Sequence, residues 1–211
     1  PKISIRNQIF DKQNVKIYGI AKGSGMIHPN MGTMLAYIFI EAALPFNIIK
    51  KIINHNLDDT FNSITVDSDT STSDTLSIFS LNMYKINYKT KKNFEKLNSS
   101  IKSIMKDLSI QIIKDGEGLS KLLDIEVLKA KSKRQARKIG LSVANSPLVK
   151  TAIFGEDANW GRIIMAVGKS DEKIIQDKIK IYFGPHLLCS NGSINRRLNQ
   201  RVLKKYMKKN I

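Results

Sequence analysis

Apolar positions along the chain recur with two different periods, and these periods predict an ordered set of strands and helices. Short apolar runs closed by polar or turn residues are typical of buried strands, whereas spacings of three and four are typical of helices. The patterns predict strands at 15–20, 34–40, 64–66, 122–129 and 179–183. They predict helices at 46–53, 76–83, 94–112, 132–143 and 157–167, with a mixed segment at 150–155.

The order of these elements favours an α+β fold with layered sheets and helices. Gly116 and Gly118 end the longest predicted helix, and Asn145-Ser146-Pro147 ends the helix predicted after it. Strands and helices follow each other without a strict βαβ rhythm and without a G-x-G-x-x-G motif. A doubly wound parallel sheet is therefore not expected.

The composition is that of an ordinary folded protein, with 211 residues, 42% hydrophobic and 25% charged. A single cysteine, Cys189, excludes an internal disulfide and argues against a structural zinc site. The longest apolar run, Met34 to Ile40, is much shorter than the roughly 20 residues of a membrane-spanning helix. Pro1 to Lys16 does not resemble a secretory signal, so we expect no membrane association and a cytoplasmic location.

The formal net charge of +17 raises the question of a nucleic-acid partner. However, 28 of the 35 basic residues are lysine, whereas arginine is preferred for base reading and phosphate forks. The basic residues are also spread along the whole chain, with one local cluster in the tail from Arg196 to Lys209. We therefore expect a solvated basic surface and no nucleic-acid partner, with the tail on a helix that faces solvent or another chain.

A glycine-rich segment, Gly19 to Leu35, contains the first candidate chemistry. Its lysine, Lys22, precedes the glycines, which is the wrong order for a phosphate-binding P-loop. Gly32-Thr33 offers an accessible carbonyl next to a hydroxyl nucleophile, as self-cleavage by an N→O acyl shift requires. Cleavage would leave Thr33 with an α-amine that can act as the base for its own hydroxyl. The alternative is that Thr33 only starts a strand.

Two further segments are rich in polar groups. Asp67, Asp69 and Ser71 follow the start of a calcium-loop pattern that lacks its Gly and Glu, so we expect no metal, and a capped turn entering a helix at Ser73 or Asp74 explains the segment better. Gly155 to Arg162 places Glu156 on a turn where it could bind an ammonium group. The alternative for this segment is a helix N-terminus capped by Asp157, with Trp160 packed against the core.

Taken together, these segments resemble the ornithine acetyltransferase family, also called glutamate N-acetyltransferase. Residues 22–35 match K-G-S-G-M-I-x-P-N-M-[AG]-T-M-L, and residues 65–75 match T-V-D-x-D-T-S-T-x-D-T. Residues 115–118, D-G-E-G, and 143–162, V-A-N-S-P-L-V-K-T-A-I-F-G-E-D-A-N-W-G-R, also match family stretches. The resemblance runs over nearly the whole chain.

The resemblance implies a cytoplasmic enzyme of arginine biosynthesis that moves an acetyl group from N-acetylornithine to glutamate through an acetyl-Thr33 intermediate. It implies no cofactor, although some members accept acetyl-CoA as a co-substrate. Family precursors cleave themselves, here between Gly32 and Thr33, into an α-chain region (1–32) and a β-chain region (33–211) that assemble as α2β2. Lys22, Thr33 and Glu156 match substrate-contacting positions, and the implied fold is the layered α+β architecture of self-cleaving N-terminal-threonine enzymes.

The chain also departs from the family pattern. Only 32 residues precede Thr33, the Thr-Gly motif that supplies the family's oxyanion donors is absent, and the family's terminal substrate-binding segment does not follow Ile211. We therefore expect a fragment, with a truncated β-chain region. The alternatives are a catalytically silent subunit that needs a separate N-terminal chain and, third, a nucleic-acid binder that uses the positive charge.

Overall fold

The computed structural model describes residues 1–28, 34–71 and 73–208. The chain divides into two compact units, Pro1–Gly118 and Leu119–Ile211, and each is described here by itself. Within these described ranges, no helix combines the length and the apolar composition needed to cross a lipid bilayer.

The described residues of the first unit form a four-stranded sheet with two helices. Its strands lie side by side in chain order; β1, β2 and β3 are antiparallel, whereas β4 runs parallel to β3. The elements are β1 (Lys2–Phe10), β2 (Gln13–Lys22), β3 (Leu35–Ala42), α1 (Phe46–Asn56), β4 (Thr75–Tyr84) and α2 (Lys91–Ile113), with a 3₁₀ turn at Phe61–Ser63.

The core of this unit lies between one face of the sheet and helix α2. Alternate residues of β2 and β3 are buried there, and α2 presents an apolar stripe at helical spacing. The fully or almost fully buried members of the two layers are Val15, Ile17, Ile38, Ile40, Leu97, Ile101, Ile104, Leu108 and Ile112. Thr90 caps α2 by accepting a hydrogen bond from Asn93 N at 3.3 Å.

The opposite face of the same sheet is also apolar, but its side chains are exposed or half-buried. The register places Ile5, Tyr18, Phe39 and Phe79 in one row across all four strands. Ring centroids lie 5.3 Å apart for Tyr18 and Phe39 and 5.1 Å apart for Phe39 and Phe79. Other exposed apolar side chains belong to the same face; with this row they form the outer apolar face, which comprises Ile3, Ile5, Ile9, Tyr18, Ile20, Tyr37, Phe39, Phe79, Leu81 and Met83.

Up to Lys208, the second unit contains four helices and a small antiparallel sheet with strand order β5-β6-β7. Val143, Val149 and Ala166 form a buried cluster contributed by its first three helices. Cys189 is buried in β6 as a free thiol. The elements are α3 (Lys133–Ala144), α4 (Pro147–Phe154), α5 (Trp160–Gly168), β5 (Lys180–Phe183), β6 (His186–Ser190), β7 (Ser193–Ile194) and α6 (Gln200–Met207), with a 3₁₀ turn at Gln176–Lys178.

Most of the elements expected from periodicity are confirmed, and so is the α+β class. The strands predicted at 15–20, 34–40 and 179–183 correspond to β2, β3 and β5. The helices predicted at 46–53, 94–112, 132–143 and 157–167 correspond to α1, α2, α3 and α5. The mixed segment at 150–155 lies in α4, and the basic tail includes α6.

The helix predicted at 76–83 is wrong, because this segment forms strand β4. Leu76 and Ile78 pack against the core, whereas Phe79, Leu81 and Met83 are exposed on the outer apolar face. Apolar residues therefore occupy both faces of the strand, which hides the alternation expected of a half-buried strand.

Strand β1 is absent from the sequence predictions. Its polar residues face helix α2, where Ser4 Oγ donates to Asp107 Oδ2 at 2.6 Å and Arg6 Nε donates to Ser103 Oγ at 3.0 Å. Its isoleucines, such as Ile5, point to the outer apolar face. The pattern is inverted relative to the usual apolar-inside rule.

Two predicted strands are also wrong. Segment 64–66 forms no strand, although Val66 N donates a backbone hydrogen bond to Ile27 O at 2.8 Å. Segment 122–129 is extended, with Ile125 and Val127 half-buried, but it joins no sheet of the described chain. Alternation there reflects packing against helices rather than pairing with a strand.

We predict that Gly19→Ala destabilises the first unit by about 1–3 kcal/mol through overpacking. A Cβ at this buried position of β2 would meet Ile104 Cγ2 and Leu108 Cδ1, both at 2.8 Å. The matched control is Gly168→Ala, because a Cβ there meets nothing within 4 Å. Denaturant unfolding followed by circular dichroism measures both variants; equal midpoints for the two would contradict the predicted packing of α2 on β2.

Candidate active site

The candidate site lies at the end of the first unit's sheet where β2 leaves it and β3 enters it. Lys22 is the last residue of β2 and is opposite Leu35, the first residue of β3. Its side chain is exposed and makes no hydrogen bond or ion pair with any residue in the described ranges. Gly32 and Thr33, the predicted cleavage site and nucleophile, lie in the connection between these strands but outside the described residues.

Asp67 holds the N-terminal part of this connection. Its Oδ2 accepts a hydrogen bond from Met26 N at 2.6 Å, and its Oδ1 accepts one from Ile27 N at 3.1 Å. Asp69 N also donates to Oδ1, at 3.1 Å. Both carboxylate oxygens are therefore engaged by backbone N–H groups, which fixes residues 26 and 27 next to the 65–75 segment.

Asp74 holds the C-terminal part of the same connection. Its Oδ1 accepts a hydrogen bond from Met34 N at 2.6 Å, and the next residue, Thr75, donates its N–H to Met34 O at 3.0 Å. Both backbone polar groups of Met34 are thus occupied by two successive residues. Burial raises the pKa of the Asp74 carboxyl, and the hydrogen bond from Met34 opposes this effect.

Lys2 and the D-G-E-G segment support the beginning of the connection. Lys2 Nζ donates to Gly23 O at 2.9 Å and forms an ion pair with Asp115, and the hydrogen bond and charge of Lys2 lower the pKa of the Asp115 carboxyl. A Cβ at Gly116 would lie 3.4 Å from Val66 Cγ1 and 4.0 Å from Ser24 O. The chain at residue 116 therefore passes close to the connection.

The polar segment at 67–74 does not lead into a helix. The expected helix after Ser73 or Asp74 is wrong, because strand β4 starts at Thr75. Within the described residues no group of three or more His, Cys, Asp or Glu side chains could hold a metal ion. Asp67 and Asp74 instead bind backbone N–H groups of the segment that contains the predicted nucleophile.

Glu156 occupies a strained backbone position in the second unit, between α4 and α5. Its φ of 59° is left-handed, although glycine is the usual residue at such a helix end. The turn is closed by hydrogen bonds from Glu156 N to Ile153 O at 3.1 Å and from Asp157 N to Ala152 O at 2.8 Å. Non-glycine residues in this conformation cost about 1–2 kcal/mol and are found preferentially at functional sites.

The Glu156 carboxylate is half-buried and has a cationic neighbour. Lys121 Nζ lies 3.4 Å from Glu156 Oε1 and donates to Met207 O at 2.9 Å, which ties the end of α6 to the same point. The expected cap at Asp157 is wrong; Asn159 caps α5 by accepting from Arg162 N at 3.1 Å. The sequence does not identify Lys121 as a neighbour of Glu156, because no motif or periodicity connects the two residues.

The predicted site residues thus fall into three groups. Lys22 belongs to the first unit and Glu156 to the second, and Gly32 and Thr33 lie outside the described residues. Around Lys22 the structure adds Asp67 and Asp74, which the sequence had indicated only as turn residues. Their signal was the run of aspartates and hydroxyl residues at a strand boundary, where such side chains commonly accept hydrogen bonds from backbone N–H groups.

Comparisons with known proteins identify the family to which the chain is similar. The ArgJ family model matches residues 1–211. The chain is 41% identical over 213 residues to the arginine biosynthesis bifunctional protein ArgJ of Bartonella quintana, covering 99% of this chain and 52% of that protein. For the Brucella suis biovar 1 protein of the same name the identity is 40%, with 98% and 52% covered. The chain spans about half the length of these curated relatives.

A solved structure has a similar fold. The crystal structure of the arginine biosynthesis bifunctional protein ArgJ from Bacillus halodurans superposes with a TM-score of 0.76 and 30% sequence identity. The match covers 82% of this chain and 81% of that chain. With a family match over its full length and a similar fold, this chain belongs to the ArgJ family.

Proposed function

We propose that the protein carrying this chain is an acetyltransferase of arginine biosynthesis that transfers the acetyl group of N-acetylornithine to glutamate. Membership of the ArgJ family supports this reaction class. The single observation that carries the proposal at the site is the fixation of both ends of the Gly32-Thr33 connection, by Asp67 and by Asp74. Such preorganisation is what a nucleophile on a loop requires.

The proposed mechanism has two half-reactions. The Thr33 hydroxyl oxygen attacks the acetyl carbonyl while the Thr33 α-amine takes the hydroxyl proton, and ornithine leaves after it has received a proton at its nitrogen. Glutamate then attacks the acetyl ester of Thr33 through its amine, which restores the free hydroxyl. Each step passes through an oxyanion, and hydrogen-bond donors for it are expected from the family's Thr-Gly motif in the preceding part of the family sequence.

The position of the proposed cleavage explains how its products would stay together. The Gly32-Thr33 bond connects β2 and β3, and these two strands pair in register from Ile17 with Ile40 to Lys22 with Leu35. Cleavage would therefore separate the chain between two hydrogen-bonded neighbours of one sheet. The proposed regions 1–32 and 33–211 would remain joined by the ladder and by the shared core.

Lys22 and Glu156 are proposed to bind the substrate. An amino acid carries a carboxylate and an ammonium group, which suit a lysine and a glutamate respectively. Lys22 is exposed at the end of β2, beside the connection that contains Thr33. Glu156 is half-buried, and its ion pair with Lys121 would orient the carboxylate before an ammonium group arrives.

The outer apolar face is proposed to bind the polypeptide that corresponds to the unmatched half of the family relatives. Domains are built from layers that bury both faces of an apolar sheet, and this sheet buries only one. The curated relatives are about twice as long as the matched region, so the family provides the chain for a further layer. A second copy of this chain is disfavoured because each copy carries a net charge of +17.

The outer apolar face also favours a second candidate function. A chain whose sheet requires a partner layer could act as a subunit that becomes active only when the other polypeptide is bound. The resemblance further implies a cytoplasmic α2β2 assembly, no cofactor and, in some members, use of acetyl-CoA. These points remain predictions.

We predict that Thr33→Val in the complete gene product abolishes both cleavage before residue 33 and acetylation by N-acetylornithine. Valine keeps the branched shape of threonine but has no oxygen nucleophile. Intact-mass spectrometry should show one acetyl adduct on a chain that begins at Thr33 in the unsubstituted protein. Thr33→Ser, which retains a hydroxyl, should retain some of both reactions. Undiminished acetyl transfer in the valine variant would overturn the proposed nucleophile.

We predict that Glu156→Gln raises KM for N-acetylornithine about tenfold or more, because a charged hydrogen bond to the substrate amine is lost. Glu156→Gly should have the same kinetic effect while stabilising the fold by about 1 kcal/mol, since glycine adopts the left-handed conformation without strain. Asp171→Gly is the matched control, because Asp171 also has a positive φ, of 56°. It should change stability alone; an unchanged KM in both Glu156 variants would exclude this role.

We predict that Phe79→Lys weakens association with the complementary family polypeptide at least about tenfold, because a charge is buried in the new interface. Phe46→Lys is the control, since Phe46 is 77% exposed on α1, away from the outer apolar face. Ile5→Lys is a second variant, on the opposite edge strand. Size-exclusion chromatography of co-expressed chains measures the complex. Retention of the complex by both face variants would contradict the proposed interface.

A further inference from the structure

The two edge strands of the first unit's sheet differ in how their outward backbone groups are satisfied. At the β1 edge, side chains from α2 bind these groups. Gln111 binds both groups of Ile3, because its Oε1 accepts from Ile3 N at 3.2 Å and its Nε2 donates to Ile3 O at 3.0 Å. Lys96 Nζ donates to Ile9 O at 2.6 Å. Side chains in these positions prevent a further strand from pairing with β1.

The β4 edge has no such cover. Thr75 N donates to Met34 O at 3.0 Å, so Thr75 directs its backbone groups to β3. The direction of the backbone groups alternates along a paired strand, and those of Leu76, Ile78 and Ser80 therefore point away from β3. Within residues 1–28, 34–71 and 73–208, no group hydrogen-bonds to these outward N–H and C=O groups.

The sequence of β4 also lacks the features that normally protect an edge strand. Natural edge strands are short, or they carry charged residues, prolines or bulges that prevent association. Strand β4, T-L-S-I-F-S-L-N-M-Y, has 10 residues without a charge or a proline, although 25% of the whole chain is charged. Its pairing with β3 is regular from Thr75 to Ser80, and the irregularity comes after this stretch. Such a strand is typical of the interior of a sheet.

The side chains of β4 are incompletely covered on both sides of the sheet. On the core side Leu76 and Ile78 are half-buried, whereas Ile38 in the neighbouring strand β3 is fully buried. On the outer side Phe79 is 44% exposed. A fifth strand next to β4 would cover the side chains on both sides. Such a strand needs apolar residues on both of its own faces, as strands in the middle of a covered sheet have.

We propose that an extended segment of the polypeptide that corresponds to the unmatched half of the family relatives pairs with β4 as a fifth strand of this sheet. The segment would bind the outward backbone groups of Leu76, Ile78 and Ser80, as in other cases of strand addition. This inference rests on the proposed function, in which the same polypeptide binds the outer apolar face.

Two observations favour this partner over a second copy of the chain. The outer apolar face includes Phe79 of β4, so the face and the edge form one continuous surface for a single partner. The curated relatives are about twice as long as the matched region, which provides enough chain for both contacts. A second copy is disfavoured because each copy carries a net charge of +17.

Amide hydrogen exchange in the complete gene product tests the pairing. We expect the amides of Leu76, Ile78 and Ser80 to exchange at least about a hundredfold more slowly than unprotected amides, because each donates to the added strand. Asn7 is the matched control. Like Ile3, it directs its N–H away from β2, but it lies on the β1 edge, where no strand is expected. Its amide should exchange at most about tenfold more slowly than unprotected amides.

Proline substitution tests the same contact through the affinity of the complex. Ile78→Pro removes one outward N–H and no hydrogen bond to β3. We expect it to weaken association with the complementary family polypeptide at least about tenfold, whereas the control Asn7→Pro should change the affinity less than about threefold. Size-exclusion chromatography of the co-expressed chains over a dilution series measures both variants.

Unprotected exchange at Leu76, Ile78 and Ser80 would overturn the proposal, and so would equal affinities of the two proline variants. A complex of two copies of this chain with these amides protected, formed without the complementary polypeptide, would overturn the choice of partner. If Ile78→Pro does not fold, the exchange measurement on the unsubstituted protein decides alone. A failure of the proposed function is distinguishable, because protected edge amides in a protein that transfers no acetyl group would support the added strand and exclude the reaction.

Discussion

The candidate site depends on two aspartate side chains that replace secondary structure in holding a loop. Asp67 binds the backbone N–H groups of Met26 and Ile27, and Asp74 binds that of Met34, so the connection between β2 and β3 is fixed at both ends. Carboxylates form stronger hydrogen bonds to N–H groups than neutral acceptors do. The connection needs such external support, because the pairing of β2 with β3 ends at Lys22 and Leu35.

The sheet that supports this loop has two apolar faces with different roles. One packs on α2 and provides the stability of the first unit. The other presents stacked rings, among them Phe39 and Phe79, and continues to the row of Lys22 and Leu35 at the site. In the proposed assembly, the layer that covers the outer apolar face also borders the candidate site. Binding of that layer would therefore bury the face and complete the site at the same time.

The sequence predicted the core elements well because burial there follows simple periods. The α2 stripe and the short apolar run of β3 are examples. It failed where the sheet has apolar side chains on its outer face: β4 is apolar on both sides, and β1 places Ile5 outward and Ser4 inward. The motifs indicated the segments whose contacts make up the candidate site. The hydrogen bonds of Asp74 could not be predicted, because they join residues 40 positions apart.

Amide hydrogen exchange at Met26, Ile27 and Met34 tests whether the two aspartates hold the connection between β2 and β3, since these are the N–H groups that the two carboxylates bind. We expect all three to exchange at least about tenfold more slowly than unprotected loop amides. Asp67→Ala should release only Met26 and Ile27, and Asp74→Ala only Met34. Unprotected exchange of these amides in the unsubstituted protein, or release of all three by either substitution, would contradict it.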